Sequence, residues 1–432
     1  MIIPLQTMLD INLVRDNPEL VKKNEKKRDH DPNVVDEVLA IDLKWKKAKQ
    51  AVEKLKHTRN VVSQEINKAK KRKDEKTAKT KIQDMRKVAA DIKKQEEKEN
   101  TLLAKRNHLL SHLGNIMHPK VPYGKDDSEN VEIKKVGGIP KFNFDVKNHV
   151  ELCESLDIAD FDIAGETSGN GFYYLKGELA LLNQALIQFA LSYMHRQKYT
   201  YIEPPLMLRK NVLAAAVDMN ELSQSIYSIE GEDLSLIGTS EHALLGFHTG
   251  QTFERKDLPK KYYSYSMCFR KEVGAHGINE KGIWRTHQFN KVEQFIFCSP
   301  EESAGFFDEL LKNSEGILKK LGLPYRVIEI CSGDLSPWKH KSYDVEVWRP
   351  TTGEYGEIMS LSNCTDYQAR KLGIKVNGKD GKQVVHTLNN TAMATSRIMV
   401  AILENFQTKK GTVKIPKVLH SYMHGITEIG VK

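Results

Sequence analysis

Two apolar repeats in the first quarter of the chain constrain its fold more than any other sequence feature. Apolar residues recur in alternating steps of three and four over residues 38–69 and again over 78–113, where Arg106 is one of the interruptions. The polar run 71–76 separates the two repeats. Two heptad-patterned helices joined by a short charged turn are typical of an antiparallel coiled-coil hairpin. The sequence therefore predicts a long helical arm over about residues 36–113.

The charge of this arm differs from that of the rest of the chain. The 432 residues carry a formal net charge of +9. Residues 41–113 hold 22 basic and 10 acidic side chains, an excess of +12, which leaves −3 for the remainder. Exposed coiled coils are always rich in charge, but solvation alone does not explain an excess of one sign. The excess indicates contact with a polyanion such as a nucleic acid.

Composition excludes several other classes of protein. No run approaches the roughly 18 apolar residues that a membrane-spanning helix needs, so we expect no membrane partner. The five cysteines, at positions 153, 268, 298, 331 and 364, are far apart and form no CxxC pair. Neither a disulfide framework nor a thiolate zinc site is indicated, and the predicted compartment is a reducing cytoplasm.

The chain changes character after the arm. Glycines, prolines and short polar residues cluster over 114–145, which predicts a linker between an N-terminal domain (1–113) and a larger domain (146–432). Strand-like runs in the larger domain are spaced irregularly, without strand–helix alternation. An α+β domain with an antiparallel sheet and flanking helices fits this pattern. The sequence contains no P-loop and no GxGxxG turn.

The densest set of polar residues in apolar surroundings lies in two segments, 268–272 and 284–293. We interpret them as two strands of a hairpin. Alternation places Arg270 and Glu272 on one face, and Phe289, Lys291 and Glu293 on one face of the second strand. An arginine fork, a carboxylate and an aromatic ring together suit a nucleotide. A salt-bridged strand pair is the simpler alternative for any one of these pairs.

These two segments resemble motif 2 of the class II aminoacyl-tRNA synthetases, in the form found in the seryl-tRNA synthetase family. Other stretches agree with that family in order and spacing: Gly238-Thr239-Ser240-Glu241, Glu357-Ile358-x-Ser360 continuing to Arg370, Leu388-Asn389-Asn390-Thr391 continuing to Arg397 (motif 3), and residues 197–205 (motif 1). The predicted arm matches the family's tRNA-binding arm. Motif 3 is similar to the archaeal and eukaryotic-cytosolic form.

The resemblance implies an ATP site. Arg270 would bind the α-phosphate and the serine carboxylate, Glu272 would accept a hydrogen bond from the adenine amine, and Phe289 would stack on the ring. Arg285 and Arg397 would hold the terminal phosphates. Further ATP-site residues would be Lys271, Thr286, Ile358 and Met359, and Mg²⁺ would be carried by Glu357 and Ser360. No zinc is expected.

The resemblance also implies a serine site and a tRNA site. Serine would be surrounded by Thr239, Ser240, Glu241, Arg270, Glu293, Asn389 and Thr391. Arg270, Glu293 and Arg397 would be the catalytic residues. The enzyme would form seryl-adenylate from L-serine and ATP and transfer serine to tRNA(Ser), and to tRNA(Sec) where present. The arm, with Lys71, Arg72 and Lys73 at its turn, would contact the long variable arm of the tRNA, and motif 1 would form a homodimer.

Three alternatives stay open on the sequence alone. A synthetase-like ligase could load an amino acid onto a carrier protein, although such relatives lack the long basic hairpin. A non-catalytic RNA-binding paralogue would have lost Arg270, Glu272, Glu357 or Arg397, and all four are present. Another class II specificity, such as threonine or proline, is the third alternative.

Overall fold

The computed structural model describes residues 9–216, 224–272, 281–379 and 381–431. The chain divides into two compact units, with the division after Gly114. The helical unit contains α1 (Ile11–Asp16), α2 (Pro18–Lys27), α3 (Asn33–Lys71) and α4 (Glu75–Leu110). No helix in the described ranges combines the length and apolar character needed to cross a lipid bilayer.

The predicted helical hairpin is confirmed. Helices α3 and α4 have 39 and 36 residues, and only residues 72–74 separate them. Heptad positions such as Val38, Val52 and Ile92 are buried between the helices. Asp74 caps α4 by accepting a hydrogen bond from the Thr77 amide at 3.0 Å. Burial along one stripe of each helix, with charges on the outer faces, stabilises the pair.

Arg106, which interrupts the second repeat, belongs to a buried polar contact near the base of the arm. Its guanidinium donates to Asp42 at 3.1 Å and lies 4.5 Å from the centroid of the Trp45 ring. Arg15 donates to both oxygens of the same carboxylate at 2.8 Å. Although burial opposes it, hydrogen bonds from these two arginines lower the pKa of Asp42. Arg106 therefore places a charge that is paired with Asp42 at this heptad position, and it does not interrupt the helix.

The second unit is built on an eight-stranded sheet in the order β1-β10-β11-β12-β15-β9-β8-β4. All neighbours are antiparallel except β4 and β8. The strands of this sheet are β1 (Val131–Val136), β4 (Thr200–Tyr201), β8 (Lys260–Phe269), β9 (Gln288–Cys298), β10 (Tyr325–Glu329), β11 (Lys341–Arg349), β12 (Glu354–Thr365) and β15 (His386–Ala394). The predicted antiparallel α+β architecture is confirmed.

Helices cover the sheet and complete its core. The described helices of this unit are α5 (His149–Leu156), α6 (Asp162–Ser168), α7 (Gly177–Arg196), α8 (Lys210–Ala216), α9 (Ser240–Phe247), α10 (Ser303–Leu321), α11 (Tyr367–Lys371) and α12 (Thr395–Asn405). Side chains of α7, α10 and α12 form one apolar cluster with the central strands. Short strands outside the main sheet are β2 (Ala159–Asp160), β3 (Tyr174–Leu175), β5 (Met207–Arg209), β6 (Leu234–Leu236), β7 (Thr252–Glu254), β13 (Lys375–Gly378), β14 (Gly381–Val384), β16 (Val413–Lys414) and β17 (Glu428–Ile429).

The segment 114–145 is more ordered than a free linker. The side chain of Asn115 donates to the carbonyl oxygen of Cys364 at 2.8 Å, and Met117 and Val121 are buried in a small apolar cluster. Strand β1 then pairs with β10 as the edge of the large sheet. Glycine and proline density indicates a linker, but it cannot show that a segment within it adds a strand to a sheet whose neighbouring strand lies almost 200 residues later.

Candidate active site

A cleft of about 560 Å³ opens over strands β8, β9, β12 and β15. It brings together most of the residues that the sequence motifs single out. The predicted residues that line it are Thr239, Glu241, Arg270, Glu272, Arg285, Thr286, Phe289, Glu293, Glu357, Ile358, Ser360, Asn389, Thr391 and Arg397.

Alternate side chains of β9 form one wall of the cleft. Phe289, Lys291 and Glu293 all line it, as the sequence predicts. Their antiparallel partners on β8 are Cys268, Ser266 and Ser264 in that order. Opposite residues of an antiparallel pair project from the same face. The three β8 residues have small side chains, which leaves room for the cleft above the β9 side chains.

Arg270 and Glu272 follow β8 and also line the cleft. The Arg270 guanidinium lies 5.3 Å from the Phe289 ring centroid, and its Nε donates to the Gly238 carbonyl at 3.2 Å. Glu272 has a φ of +49°, a left-handed conformation that is uncommon outside glycine. Its carboxylate is 2.8 Å from Nη1 of Arg285. The turn therefore presents a stacked arginine and a paired carboxylate to the same space.

A buried acid and base lie deeper in the cleft. The Glu293 carboxylate is 2.6 Å from Nζ of Lys291 and accepts a hydrogen bond from the Thr391 hydroxyl at 3.4 Å. Burial raises the pKa of Glu293, while Lys291 acts in the opposite direction and Glu241 adds to the rise. Glu241 accepts a hydrogen bond from Gln368 at 2.8 Å. Two carboxylates in one pocket suit a cationic amine.

Two β-bulges decide which residues of β12 and β15 reach the cleft. The β11–β12 register shifts at Ile358, so that Glu357 and Ser360 both line the cleft although three positions separate them. A regular strand would place them on opposite faces. A second shift at Ala392 lets Asn389, Thr391 and Ala394 share the cleft in the same way.

Arg397, from α12, contacts the edge of β12. Its Nη1 donates to the backbone carbonyl of Glu357 at 2.7 Å and to the Glu357 carboxylate at 3.0 Å. Partial desolvation opposes ionisation of Glu357, whose side chain is 44% exposed, but Arg397 outweighs this effect and the pKa of the carboxyl is lowered. The Arg397 guanidinium also lies 5.5 Å from the centroid of Trp284. The arginine is thus held in place by a charge, a carbonyl and a ring.

The oxygen atoms around Glu357 fit a hard cation. Glu357 and Ser360 line the cleft, and Asp344 is opposite Ser360 in the β11–β12 register. Oδ1 of Asp344 is buried without a hydrogen-bond partner in the described part of the chain. Burial and the Glu357 charge raise the pKa of Asp344 to about 7. Carboxylate and hydroxyl oxygens are the ligands Mg²⁺ prefers. Within the described ranges, no cluster of three or more His, Cys, Asp and Glu side chains could hold a metal by itself.

Six predicted residues lie outside the cleft. Ser240 is buried at the start of α9, and Met359 is buried in the apolar core. Met359 directly follows the bulge, and alternation turns it away from Ser360. Nζ of Lys271 lies 5.9 Å from the Tyr227 ring instead of lining the cleft. Lys71, Arg72 and Lys73 are exposed at the end of the helical hairpin, in the other unit.

The cleft also contains residues to which sequence reasoning gave no role. They include His242, Trp284, Trp338, Lys339, Ser362 and Ser396. Burial, with the charges of Arg270 and Lys291, lowers the pKa of His242 to about 3, so its imidazole is neutral. Trp284 was detectable as an aromatic neighbour of Arg285. Lys339 carries no local signal, because it belongs to the connection between β10 and β11 and no motif.

The fold and the site define a class II aminoacyl-tRNA synthetase catalytic core. A family model described as the tRNA synthetase class II core domain (G, H, P, S and T) matches residues 225–406, and one described as the seryl-tRNA synthetase N-terminal domain matches residues 8–117. Together these models cover more than half of the chain.

Full-length relatives narrow the class to one family. A serine–tRNA ligase of Methanoregula boonei is 42% identical over 96% of this chain and 99% of its own length. Seryl-tRNA synthetase from Pyrococcus horikoshii, solved with ATP, is 41% identical with a TM-score of 0.90 over 98% of this chain and 99% of its own. The cytoplasmic enzyme of Naegleria fowleri, solved with AMP, is 34% identical with a TM-score of 0.87 over the same shares. The chain belongs to the seryl-tRNA synthetase family of aminoacyl-tRNA ligases.

Proposed function

We propose that the cleft activates L-serine with ATP and that the enzyme then esterifies tRNA(Ser), and tRNA(Sec) where present, with serine. The serine carboxylate attacks the α-phosphorus, the bond to pyrophosphate breaks, and seryl-adenylate forms. A terminal ribose hydroxyl of tRNA then attacks the seryl carbonyl, and AMP leaves. The observation that carries this proposal is the convergence of arginines, paired acids and hydroxyl-binding groups in one cleft.

The proposed ATP site matches the charged side chains of the cleft to the charged and polar groups of ATP. Arg270 would hold the α-phosphate and the serine carboxylate, because a planar guanidinium binds two oxygens at once. Phe289 would stack on adenine and Glu272 would accept from its amine. Arg285 and Arg397 would bind the terminal phosphates. Catalysis would rest on positioning and charge stabilisation, since neither step needs a protein nucleophile.

The proposed serine site lies around the buried acid. Glu293 and Glu241 would bind the ammonium group of serine, and Thr239, Asn389 and Thr391 would form hydrogen bonds with the substrate. A site that hydrogen-bonds a hydroxyl rejects alanine because its own polar groups would be left unpaired. Glu293, Arg270 and Arg397 are the catalytic residues in this proposal.

We further propose that Glu357 and Ser360 hold Mg²⁺. The oxygen donors beside them, and the orphaned Oδ1 of Asp344, support this assignment. A bound Mg²⁺ would neutralise charge on the phosphate oxygens. Glu357 also accepts a hydrogen bond from Arg397, which keeps the arginine in place, and Ser360 lines the cleft from the same strand.

Three proposals concern partners and location. Lys71, Arg72 and Lys73 would contact the variable arm of the tRNA, since they are exposed at the turn of a basic hairpin. Residues 197–205 would form a homodimer interface, which is supported by the exposed apolar side chain of Tyr201 and by those of Leu206 and Met207 directly after the segment. The enzyme would act in a reducing cytoplasm, which is supported by its five free, buried cysteines.

Two of the three alternatives are not favoured by the cleft and the arm, and the third, another amino-acid specificity, is left to the exchange measurement below. A carrier-protein ligase leaves the basic hairpin without a use, and a non-catalytic paralogue does not account for Arg270, Glu272, Glu357 and Arg397 all lining one cleft.

ATP–pyrophosphate exchange measured with each amino acid tests the proposal. We expect serine to support the fastest exchange, with threonine, alanine and proline far below it. Exchange that is fastest with another amino acid, or that needs none, would contradict the proposal.

A further inference from the structure

A buried set of charged side chains outside the cleft has no part in the proposed roles. Its centre is Glu404, on α12, whose side chain is fully buried. One carboxylate oxygen accepts hydrogen bonds from Nη2 of Arg349 and Nδ1 of His149, both at 3.2 Å, and the other accepts one from the Thr351 hydroxyl at 2.9 Å. Although burial opposes it, His149 and Arg349 lower the pKa of Glu404, so the carboxylate is charged.

His149 connects this carboxylate to the chain segment that enters β9. The backbone amide of Ile283 donates to Nε2 of His149 at 3.3 Å, so the ring proton is on Nδ1 and is donated to Glu404. The approach is so close that a Cβ atom on Gly282 would lie 2.3 Å from Nε2. The residue after Ile283 is Trp284, which lines the cleft. His149 therefore fixes the backbone immediately before a residue of the cleft.

Arg349 contacts the same segment from the end of β11. Its guanidinium lies 4.3 Å from the centroid of the Trp284 ring. The edge of this ring lies over Gly356, where a Cβ atom would be 2.5 Å from Cζ2 of Trp284. Nε of Arg397 donates to the Trp284 carbonyl at 3.4 Å, and its guanidinium lies 5.5 Å from the ring centroid. Trp284 therefore contacts both an arginine that is paired outside the cleft and an arginine that lines it.

We propose that Arg349, held by Glu404, is a positioning residue that acts through Trp284 to place Arg397 at the terminal phosphates of ATP. The inference rests on the proposed function, in which Arg397 binds those phosphates. A planar guanidinium can stack on an indole ring and donate to a carboxylate at the same time, whereas an ammonium group has no plane with which to stack. Glu404 and Arg397 belong to one helix, α12, so the buried pair fixes both the helix and the ring that Arg397 contacts.

Arg326 provides a matched control outside the cleft. Its guanidinium lies 5.0 Å from the centroid of the Tyr355 ring and pairs with Glu346, so it repeats the combination of a ring and a carboxylate. Neither Arg326 nor Tyr355 lines the cleft. Replacing either arginine by lysine keeps the positive charge and removes the planar group, but only the Arg349 change should affect Arg397.

The test is serine-dependent ATP–pyrophosphate exchange by the full chain, with KM measured separately for ATP, pyrophosphate and serine. Arg349→Lys should raise KM for ATP and for pyrophosphate by about fivefold to tenfold, the effect of losing one stacked guanidinium. KM for serine should change less than about twofold, because the proposed serine site lies around Glu293. Arg326→Lys should match the parent protein in all three constants.

A double variant tests whether Arg349 acts through Trp284. Trp284→Leu should itself raise KM for ATP and pyrophosphate. Adding Arg349→Lys should then change both constants less than about twofold, because the ring that transmits the effect is absent. Glu404→Gln keeps the size of the buried side chain but removes its charge, and it should reproduce the selective rise if Arg349→Lys does not fold.

Unchanged KM for ATP and pyrophosphate in folded Arg349→Lys, or in folded Glu404→Gln, would overturn the inference. An equal rise in KM for serine would also overturn it, since it would indicate a general structural role. Losses that multiply in the double variant would do the same, because Arg349 would then act independently of Trp284. If the parent exchanges with serine and Arg349→Lys keeps its KM values, only the inference fails and the proposed function stands.

Discussion

The helical arm and the catalytic cleft use positive charge in opposite ways. At the turn of the arm, Lys71, Arg72 and Lys73 are exposed to solvent. In the cleft, Arg270, Arg285 and Arg397 are each held by a carbonyl, a carboxylate or a ring. An exposed excess of positive charge attracts a large polyanion from a distance. A cation held in a fixed position stabilises negative charge at one atom. The net charge of +9 therefore averages two regions in which positive charge is arranged differently.

The same difference appears in what each region contributes to stability. Exposed pairs join the helices of the arm, such as Lys56 with Glu96 and Lys81 with Glu65, both at 2.8 Å. Solvent screens exposed pairs of this kind, so each contributes little to stability. The buried pair of Lys291 and Glu293 is different, because removing one partner leaves a buried charge uncompensated. Substitutions in the arm should therefore be tolerated more readily than substitutions at the floor of the cleft.

The largest effect should come from Arg270→Ala. Loss of the guanidinium removes charge stabilisation at the reacting phosphate, so serine-dependent exchange should fall by at least about a hundredfold to a thousandfold. Affinity for tRNA should be nearly unchanged, because the arm is intact. Arg255→Ala is the control, since Arg255 pairs only with Glu301 in the hydrogen bonds and ion pairs described for it, at the surface. Retained exchange by a folded Arg270→Ala protein would refute the assigned role.

A smaller effect should follow from replacing Lys71, Arg72 and Lys73 together by alanine. Each lost phosphate contact weakens RNA binding and lowers its dependence on salt. We expect a higher KM for tRNA(Ser), a shallower salt dependence and unchanged exchange. Replacing three exposed arm lysines away from the turn, Lys44, Lys47 and Lys54, is the matched control. Equal losses in both triple variants would show a general field rather than a contact at the turn.

The smallest effect concerns acid stability and His242. The pKa of about 3 in the folded protein lies below the ordinary value of 6.5. Below pH 6.5 the unfolded chain therefore binds a proton that the folded chain does not, and stability falls as the pH falls toward 3. His242→Gln should lose less free energy of unfolding on acidification, by up to about 1.4 kcal/mol per pH unit. Denaturant melts at pH 6.0 and 5.0 measure this, with exposed His57→Gln as the control. An equal pH dependence in the parent and His242→Gln would contradict it.

Local patterns predict the arm and the β8–β9 pair because each depends on residues close in sequence. The heptads determine which stripe of α3 and α4 is buried, and strict alternation places Phe289, Lys291 and Glu293 together. The bulges at Ile358 and Ala392 could not be predicted, because a register shift depends on the partner strand. Those shifts decide which motif residues reach the cleft and why Met359 does not.

Long-range contacts account for the other differences. Pairing of Arg106 with Asp42 joins residues 64 positions apart, so the repeat alone shows an interruption. Strand β1 pairs with β10, which lies far along the chain, whereas the density of glycine and proline indicates only a linker. Lys339 lines the cleft, where its ammonium group contacts the hydroxyls of Ser342 on β11 and Ser360 on β12. In each case the informative contact is tertiary.

Shortening the arm tests the division between the two regions most directly. Lys56 and Glu96 face each other across the hairpin. Replacing residues 57–95 by a short Gly/Ser turn therefore removes the outer arm but keeps Asp42, Arg106 and Arg15 at its base. Serine-dependent exchange and tRNA(Ser) charging are then measured on the same preparation. We predict an exchange rate within about twofold of the parent protein and a loss of charging of at least about a hundredfold. Charging at the parent rate, or a comparable loss of both activities in a folded protein, would contradict the account.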